Sequence, residues 1–273
     1  MPLKFGLAQH DGYKSPSEDY LAHKIYDNGY ELFGVFDGHN TDFYSKMASY
    51  ILPEILVNQF QSIKQPEEIK EILELAFEET VNTLEDGPFH GGTTAIVVVI
   101  TESNIIIASV GDSIALYTDI SGNLLRATKD HNTENKEECD RIIKAGGRII
   151  KDKYNDLRVE GGLCVTRSIG DKMYRKYGVI STPHIDIIKR EPGYLVIMSD
   201  SFVESHTFSF LFETLIKNNY SREDLTKYTY SFIEKDDLQG SAERIVTHQV
   251  NKFRDLLLGS YSGDNTSLIY VEV

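Results

Sequence analysis

Four aspartates stand where apolar, strand-like runs begin or end: Asp37 after LFGVF, Asp112 after IIIASVG, Asp200 after YLVIMS, and Asp264 just before TSLIYVEV. A carboxylate so placed has its backbone fixed by a sheet while its side chain reaches the sheet edge, which suits a rigid oxygen-ligand site for a hard cation. Aspartate also favours turns through its own hydrogen bonding, so each residue taken alone reads as turn chemistry at least as readily. Gly38 follows Asp37 and lets a backbone carbonyl approach an ion closely. His39 comes next, one position from a candidate ligand, where a protonated imidazole can give a proton to a leaving alkoxide.

The elements that must hold these groups are legible in the apolar pattern. Runs rich in β-branched and apolar residues predict strands over Glu31–Phe36, Ala95–Thr101, Asn104–Val110, Ile114–Thr118, Tyr194–Ser199 and Ser267–Val273. Three- and four-residue spacing of Ile69, Ile72, Leu73, Ala76, Phe77, Val81 and Leu84 predicts a helix over Pro66–Leu84 with one buried stripe. Further helices are expected over Asp42–Phe60 despite Pro53, over Glu134–Ala145 ending at Gly146 and Gly147, over Ser241–Leu258, and twice within Phe208–Glu234. Strands follow strands directly and helices arrive in pairs, so a regular βαβ alternation is excluded. The expected class is α+β, with antiparallel sheets and helices packed on their outer faces. No repeat, low-complexity tract or linker interrupts residues 1–273, which read as one domain.

The net charge is −14, from 42 acidic against 28 basic residues, and no basic cluster is long enough to track a phosphate backbone. Nucleic acid is therefore not an expected partner. The same acidity repels a phosphorylated substrate unless cations neutralise it locally. No apolar run approaches the roughly 20 residues that span a bilayer, and the amino-terminal residues lack a secretory pattern, so an intracellular, cytoplasmic protein without membrane contact is expected. The two cysteines, Cys139 in a predicted helix and Cys164 in a predicted strand, are too few for a disulfide scaffold and fit a reducing compartment.

The chain also resembles the metal-dependent protein phosphatases of the protein phosphatase 2C type. The resemblance is carried by SEDY at 17–20, VFDGHN at 35–40, GGTTA at 91–95, SVGDS at 109–113, KDHN at 129–132, RIIKAGGRI at 141–149, LCVTRSIGD at 163–171, VIMSDS at 196–201 and GDNTS at 263–267, in the family's own order. It implies a sandwich of two antiparallel sheets flanked by helices, with a binuclear Mn²⁺ or Mg²⁺ centre at one end. By the same resemblance Asp37 bridges both metals, Gly38 offers its carbonyl, Glu18, Asp200 and Asp264 complete the ligands, and Asp112 holds a weaker third ion with Asp200. The implied chemistry is hydrolysis of phosphoserine or phosphothreonine esters by metal-activated water, with His39 as general acid and no phosphoenzyme. The implied partner is a phosphoprotein substrate, with a regulatory protein as a possible second.

Departures from the family pattern are specific. Lys14 stands four residues before Glu18, where an arginine fork usually binds the substrate phosphate; a lysine presents a point charge and orients phosphate less tightly. Ser201 replaces the glycine expected after Asp200, and Phe202, Val203 and Glu204 follow where aromatic and acidic residues are expected. Asn40 and Thr41 replace small glycines after DGH. The basic segment from Asp171 to His184, with Lys172, Arg175, Lys176, Tyr174 and Tyr177, falls in the region the family uses as a flap; a solvated loop is the plainer reading. The alternative to an active enzyme is a weak or inactive protein-binding module of the same fold. A nuclease or small-molecule phosphatase shares the two-metal logic, and the charge argues against the nuclease.

Overall fold

The computed structural model describes residues 2–12, 16–88, 90–202, 206–209, 214–217, 221–256 and 264–273. Lys14, Val203 and Glu204 lie outside the described residues. The chain opens with strands β1 (Lys4–His10), β2 (Asp19–Ile25) and β3 (Glu31–His39), then helices α1 (Phe43–Gln59) and α2 (Pro66–Thr83). The start of α2 is fixed by Pro66 in the first turn and by a reciprocal cap between Gln65 and Glu68, which satisfies donors that an α-helix leaves unpaired.

Next come β4 (Gly92–Thr93), β5 (Ala95–Ile100), β6 (Asn104–Val110), β7 (Ile114–Asp119) and β8 (Leu124–Ala127). Helix α3 (Lys136–Lys144) is capped by the Asn135 side chain, which accepts from Glu137 N, and Gly146 continues beyond it at φ 93°. The short β9 (Ile149–Lys151), β10 (Leu157–Val159) and β11 (Ile169–Gly170) follow, with α4 (Lys172–Arg175), β12 (His184–Lys189) and β13 (Gly193–Met198). A 3₁₀ turn over Asp200–Phe202 leads to the hairpin β14 (His206–Ser209) and β15 (Thr214–Lys217), then α5 (Arg222–Tyr230), α6 (Leu238–Leu256) and β16 (Thr266–Glu272).

Two antiparallel sheets face each other. One runs β1-β16-β13-β7-β8; the other has seven strands, with β2 and β5 flanking β3, β6 and β12 beyond β5, and β4 with β11 continuing from the end of β3. Between the sheets Phe33, Val35, Ile96, Val98, Ile105 and Ile107 meet Ala115, Tyr117, Leu195, Ile197, Ile269 and Val271. Alternate residues of the same strands face outward, where Leu32, Phe36, Val97 and Ile106 pack on Leu52, Leu56, Leu73 and Phe77 of α1 and α2. On the other side Leu116, Val196, Leu268 and Tyr270 pack on Leu225, Ala242, Ile245 and Val246 of α5 and α6. Burial on both faces explains why β5, β6 and β13 read as unbroken apolar runs.

The α+β sandwich agrees with the sequence reading, and three local expectations are corrected. Within Phe208–Glu234 there is one described helix, α5, preceded by the β14–β15 hairpin; the β-branched and aromatic residues of HTFS and TLIK favour a ladder over a helix. Cys164 lies between the isolated bridge residues Leu163 and Val165 and not in a strand. The basic segment after Asp171 is neither wholly loop nor wholly exposed, since it contains α4 and ends at β12, which adds an edge to the seven-stranded sheet.

Candidate active site

The acidic residues gather at the end of the sandwich where β3 finishes. Strands β2 and β3 pair in a register that sets Asp19 directly opposite Asp37. The Asp37 backbone is pinned on its other side: its N–H donates to Thr94 Oγ1 at 3.2 Å, and its carbonyl accepts from Thr94 N at 2.9 Å. Gly38 donates its N–H to the Glu18 carbonyl at 3.1 Å, and a Cβ there would stand 2.4 Å from that oxygen and 2.6 Å from Ser45 Oγ. Only glycine fits where β3 passes this closely under Glu18.

Electrostatics show how tightly the carboxylates are grouped. Burial, then the negative charges of Asp19, Asp200, Asp264 and Asp112, push the Asp37 carboxyl well above its ordinary range. Asp19 is 1% exposed, and burial pushes it up to about 7; Asp264 adds to the rise, while Ser267, Asp37 and Ser199 offset part of it. Among the described residues neither Asp19 oxygen makes a well-formed hydrogen bond, the contacts to Ser267, Asp37 and Ser199 being weak ones. Such a group stores unfavourable charge that a bound cation would relieve. Among the described residues no three His, Cys, Asp or Glu side chains are already drawn together at ligating range. The carboxylates thus surround Asp37 at electrostatic range.

Each remaining residue is held by its own element. Asp112 follows Gly111, whose φ of 89° turns the chain after β6, and it accepts from Asn132 Nδ2 at 3.3 Å. Asp200 opens the 3₁₀ turn, where the buried Ser201 shares a 3.2 Å hydroxyl contact with Ser199 and its carbonyl accepts from Gln249 Nε2 of α6 at 2.9 Å. Phe202 is buried in the cluster under α5 and α6, which anchors the turn from the other side. Asp264 accepts from Asn265 N at 2.8 Å; the Asn265 side chain in turn accepts from Glu18 N and donates to the Asp11 carbonyl, each at 2.8 Å. One buried asparagine therefore ties together the segments that carry Glu18 and Asp264.

His39, at the end of β3, is about a quarter exposed, and its Nε2 lies 2.8 Å from Asp171 Oδ2. Burial pulls its pKa down, but the Asp171 hydrogen bond and the charges of Asp171, Asp112 and Glu18 hold it above the ordinary value. Arg175 does not compete for that carboxylate, because its guanidinium donates to the carbonyls of Ser168 and Gly170.

The structure brings Asp37, Asp112, Asp200 and Asp264 around one another, with Glu18 and His39 alongside. It adds Asp19, Asp171, Gln249 and Asn265, to which the sequence reading gave no role. Asp19, Asp171 and Asn265 lay inside the motif stretches SEDY, LCVTRSIGD and GDNTS; Gln249 had no such signal. A cleft of about 530 Å³ lined by Tyr30, Glu31, Lys64, Ile100 and Arg190 lies at the opposite ends of β3 and β5, away from these carboxylates.

Comparison with known proteins decides the family. The family model described as Protein phosphatase 2C matches residues 4–228. The chain belongs to this family. Among curated protein phosphatase 2C relatives, "Probable protein phosphatase 2C 45" of Oryza sativa subsp. japonica is 29% identical over 72% of this chain and 71% of that protein. "Probable protein phosphatase 2C 71" of Arabidopsis thaliana is 27% identical over 97% of this chain, which spans 59% of that protein's length. Among solved structures, the serine-threonine phosphatase 2C from Toxoplasma gondii superposes with a TM-score of 0.77 at 17% identity, covering 99% of this chain and 94% of that one. The shared architecture is the protein phosphatase 2C sandwich.

Proposed function

We propose that this chain hydrolyses phosphoserine and phosphothreonine esters of proteins with a pair of divalent cations, Mn²⁺ or Mg²⁺, and a weaker third ion near Asp112 and Asp200. The observation that carries the reading is the buried Asp37, whose carboxyl is pushed well above its ordinary range by burial and by the gathered charges of Asp19, Asp200, Asp264 and Asp112. The donors are all hard oxygens, which fits hard cations. Asp37 would bridge, Gly38 would offer its carbonyl, and Glu18, Asp200 and Asp264 would complete the set. When bound, such cations lower the pKa of water and neutralise the phosphate of the substrate.

The chain's own residues supply rigidity and a proton. The sheet ends and the Asn265 and Gln249 hydrogen bonds hold the carboxylates before substrate arrives, so little reorganisation is needed during reaction. His39 gives a proton to the seryl or threonyl oxygen as the ester bond breaks. Lys14 is assigned to the substrate phosphate as a point charge. Strands from both ends of the sequence share one sheet, which supports reading residues 1–273 as one phosphatase domain.

The test is turnover of phosphoserine and phosphothreonine peptides by the purified protein with Mn²⁺ or Mg²⁺, before and after chelation. Asp37→Asn and Asp264→Asn are each expected to lower kcat/KM by about 100-fold or more and to weaken Mn²⁺ binding measured by calorimetry. A folded protein inert toward several phosphopeptides across divalent metals would sink the reading.

A further inference from the structure

Asp171 is held in a conformation that its sequence alone does not favour. Its φ is 48° and ψ 40°, the left-handed region that residues with a side chain adopt sparingly. Its N–H donates to the Gly91 carbonyl at 2.8 Å, and its carbonyl accepts from Tyr174 N at 2.9 Å. The side chain is 2% exposed, and its oxygen faces Gly92 so closely that a Cβ there would stand 2.4 Å from Asp171 Oδ2. An uncommon backbone state, a glycine that leaves room for the carboxylate and nearly complete burial all converge on one product: the 2.8 Å hydrogen bond to His39 Nε2. Backbone strain of this kind persists where the surroundings over-determine it, and such sites are enriched in function.

A carboxylate only accepts, so Nε2 must carry the hydrogen that Asp171 receives. Among the described residues this is the only hydrogen bond the His39 ring makes. We propose that Asp171 is a positioning residue that locks the His39 ring and fixes Nδ1 as the nitrogen that delivers the proton to the leaving oxygen. The proposal rests on the phosphatase reading above. In the step it serves, the phosphorus–oxygen ester bond breaks with its electron pair on the seryl or threonyl oxygen, which takes the proton from His39 Nδ1. Water oxygen forms the new bond to phosphorus and gives up a proton to solvent. The products are inorganic phosphate and the free hydroxyl, and solvent reprotonates His39.

The variant is Asp171→Asn, because asparagine tolerates the same left-handed backbone and keeps the side-chain shape. A phosphoserine peptide has a poor alkoxide leaving group, whereas p-nitrophenyl phosphate releases a phenolate that needs little protonation. Asp171→Asn is expected to lower kcat on the peptide by roughly 10–100-fold and to change kcat on the aryl ester by less than about threefold. In a His39→Gln background the same substitution is expected to cost almost nothing further, since it acts through the ring. Equal losses on both esters, or an undiminished loss in the His39→Gln background, overturns the proposal.

Nitrogen-15 spectra of the wild-type imidazole rings in Mg²⁺ buffer at alkaline pH supply a readout independent of turnover and of the variant's folding. A His39 ring protonated on Nε2 is expected, and one protonated on Nδ1 refutes the assignment. If wild type hydrolyses neither ester, the phosphatase reading fails and these spectra alone decide the ring assignment.

Discussion

At the level of single residues, the pairing of Asp19 with Asp37 has a thermodynamic signature. The Asp19 carboxyl is raised from 3.8 to about 7 in the folded state, so it supports the fold while protonated. As pH climbs from the unfolded value through 7, the folded chain must ionise against burial and its neighbours, and that contribution is lost. Metal-free Asp19→Asn is therefore expected to be more stable than wild type above pH 7, on the order of 2 kcal/mol, and to match it near pH 3. Thermal denaturation across this range checks the sign, and parallel curves for the two proteins would refute it. Added Mn²⁺ should stabilise wild type more than the variant. Asp37, Asp200 and Asp264 were legible because each borders an apolar run. The part of Asp19 was hidden, since its placement opposite Asp37 is a matter of register between two strands. Likewise Asp171 gains its partner only when residues 132 positions apart meet.

Elements carry these residues with different degrees of legibility. Strands β5, β6, β7, β13 and β16 could be read directly, because helices or a second sheet cover both faces and demand apolar side chains throughout. Strands β1, β2 and β12 escaped the reading: their burial is mixed, so neither a continuous run nor a clean alternation marks them. Helix α6 was expected, yet its contribution to the site was not. Gln249 reaches from it to the Ser201 carbonyl while accepting from Tyr228 Oη at 3.2 Å, and so stiffens a turn that lacks the family's usual glycine. Gln249→Leu is expected to cost about 1–3 kcal/mol through the buried groups it leaves unpaired. It should also weaken Mn²⁺ binding several-fold at unchanged kcat with saturating metal. Tyr228→Phe removes the other partner of Gln249 without touching Ser201 and should retain metal affinity. Calorimetric titration of both variants tests the distinction.

Across the whole molecule, a net charge of −14 surrounds a reaction that consumes an anion. Cations held at the proposed site would relieve this repulsion locally, while the rest of the surface would still act on the substrate's flanking sequence. Phosphopeptides with basic flanks are expected to show kcat/KM about tenfold above acidic-flanked ones at low ionic strength, with the gap narrowing as salt shortens the Debye length. Salt-independent selectivity would assign the preference to direct contacts. No helix among the described residues is long and apolar enough to cross a membrane.

The arrangement of the five-stranded sheet also bears on when this site can exist. Strand β16 lies between β1 and β13, pairing Lys4 with Glu272 and Met198 with Leu268. Strands β1 and β13 are joined in this sheet only through residues 266–272. Asp264 and Asn265 arrive with that strand, and Asn265 is the tie to Glu18. Asp264, Asn265 and the tie to Glu18 are therefore set in place by the same strand pairing that closes this sheet, so completing the candidate site and completing the sheet are one event.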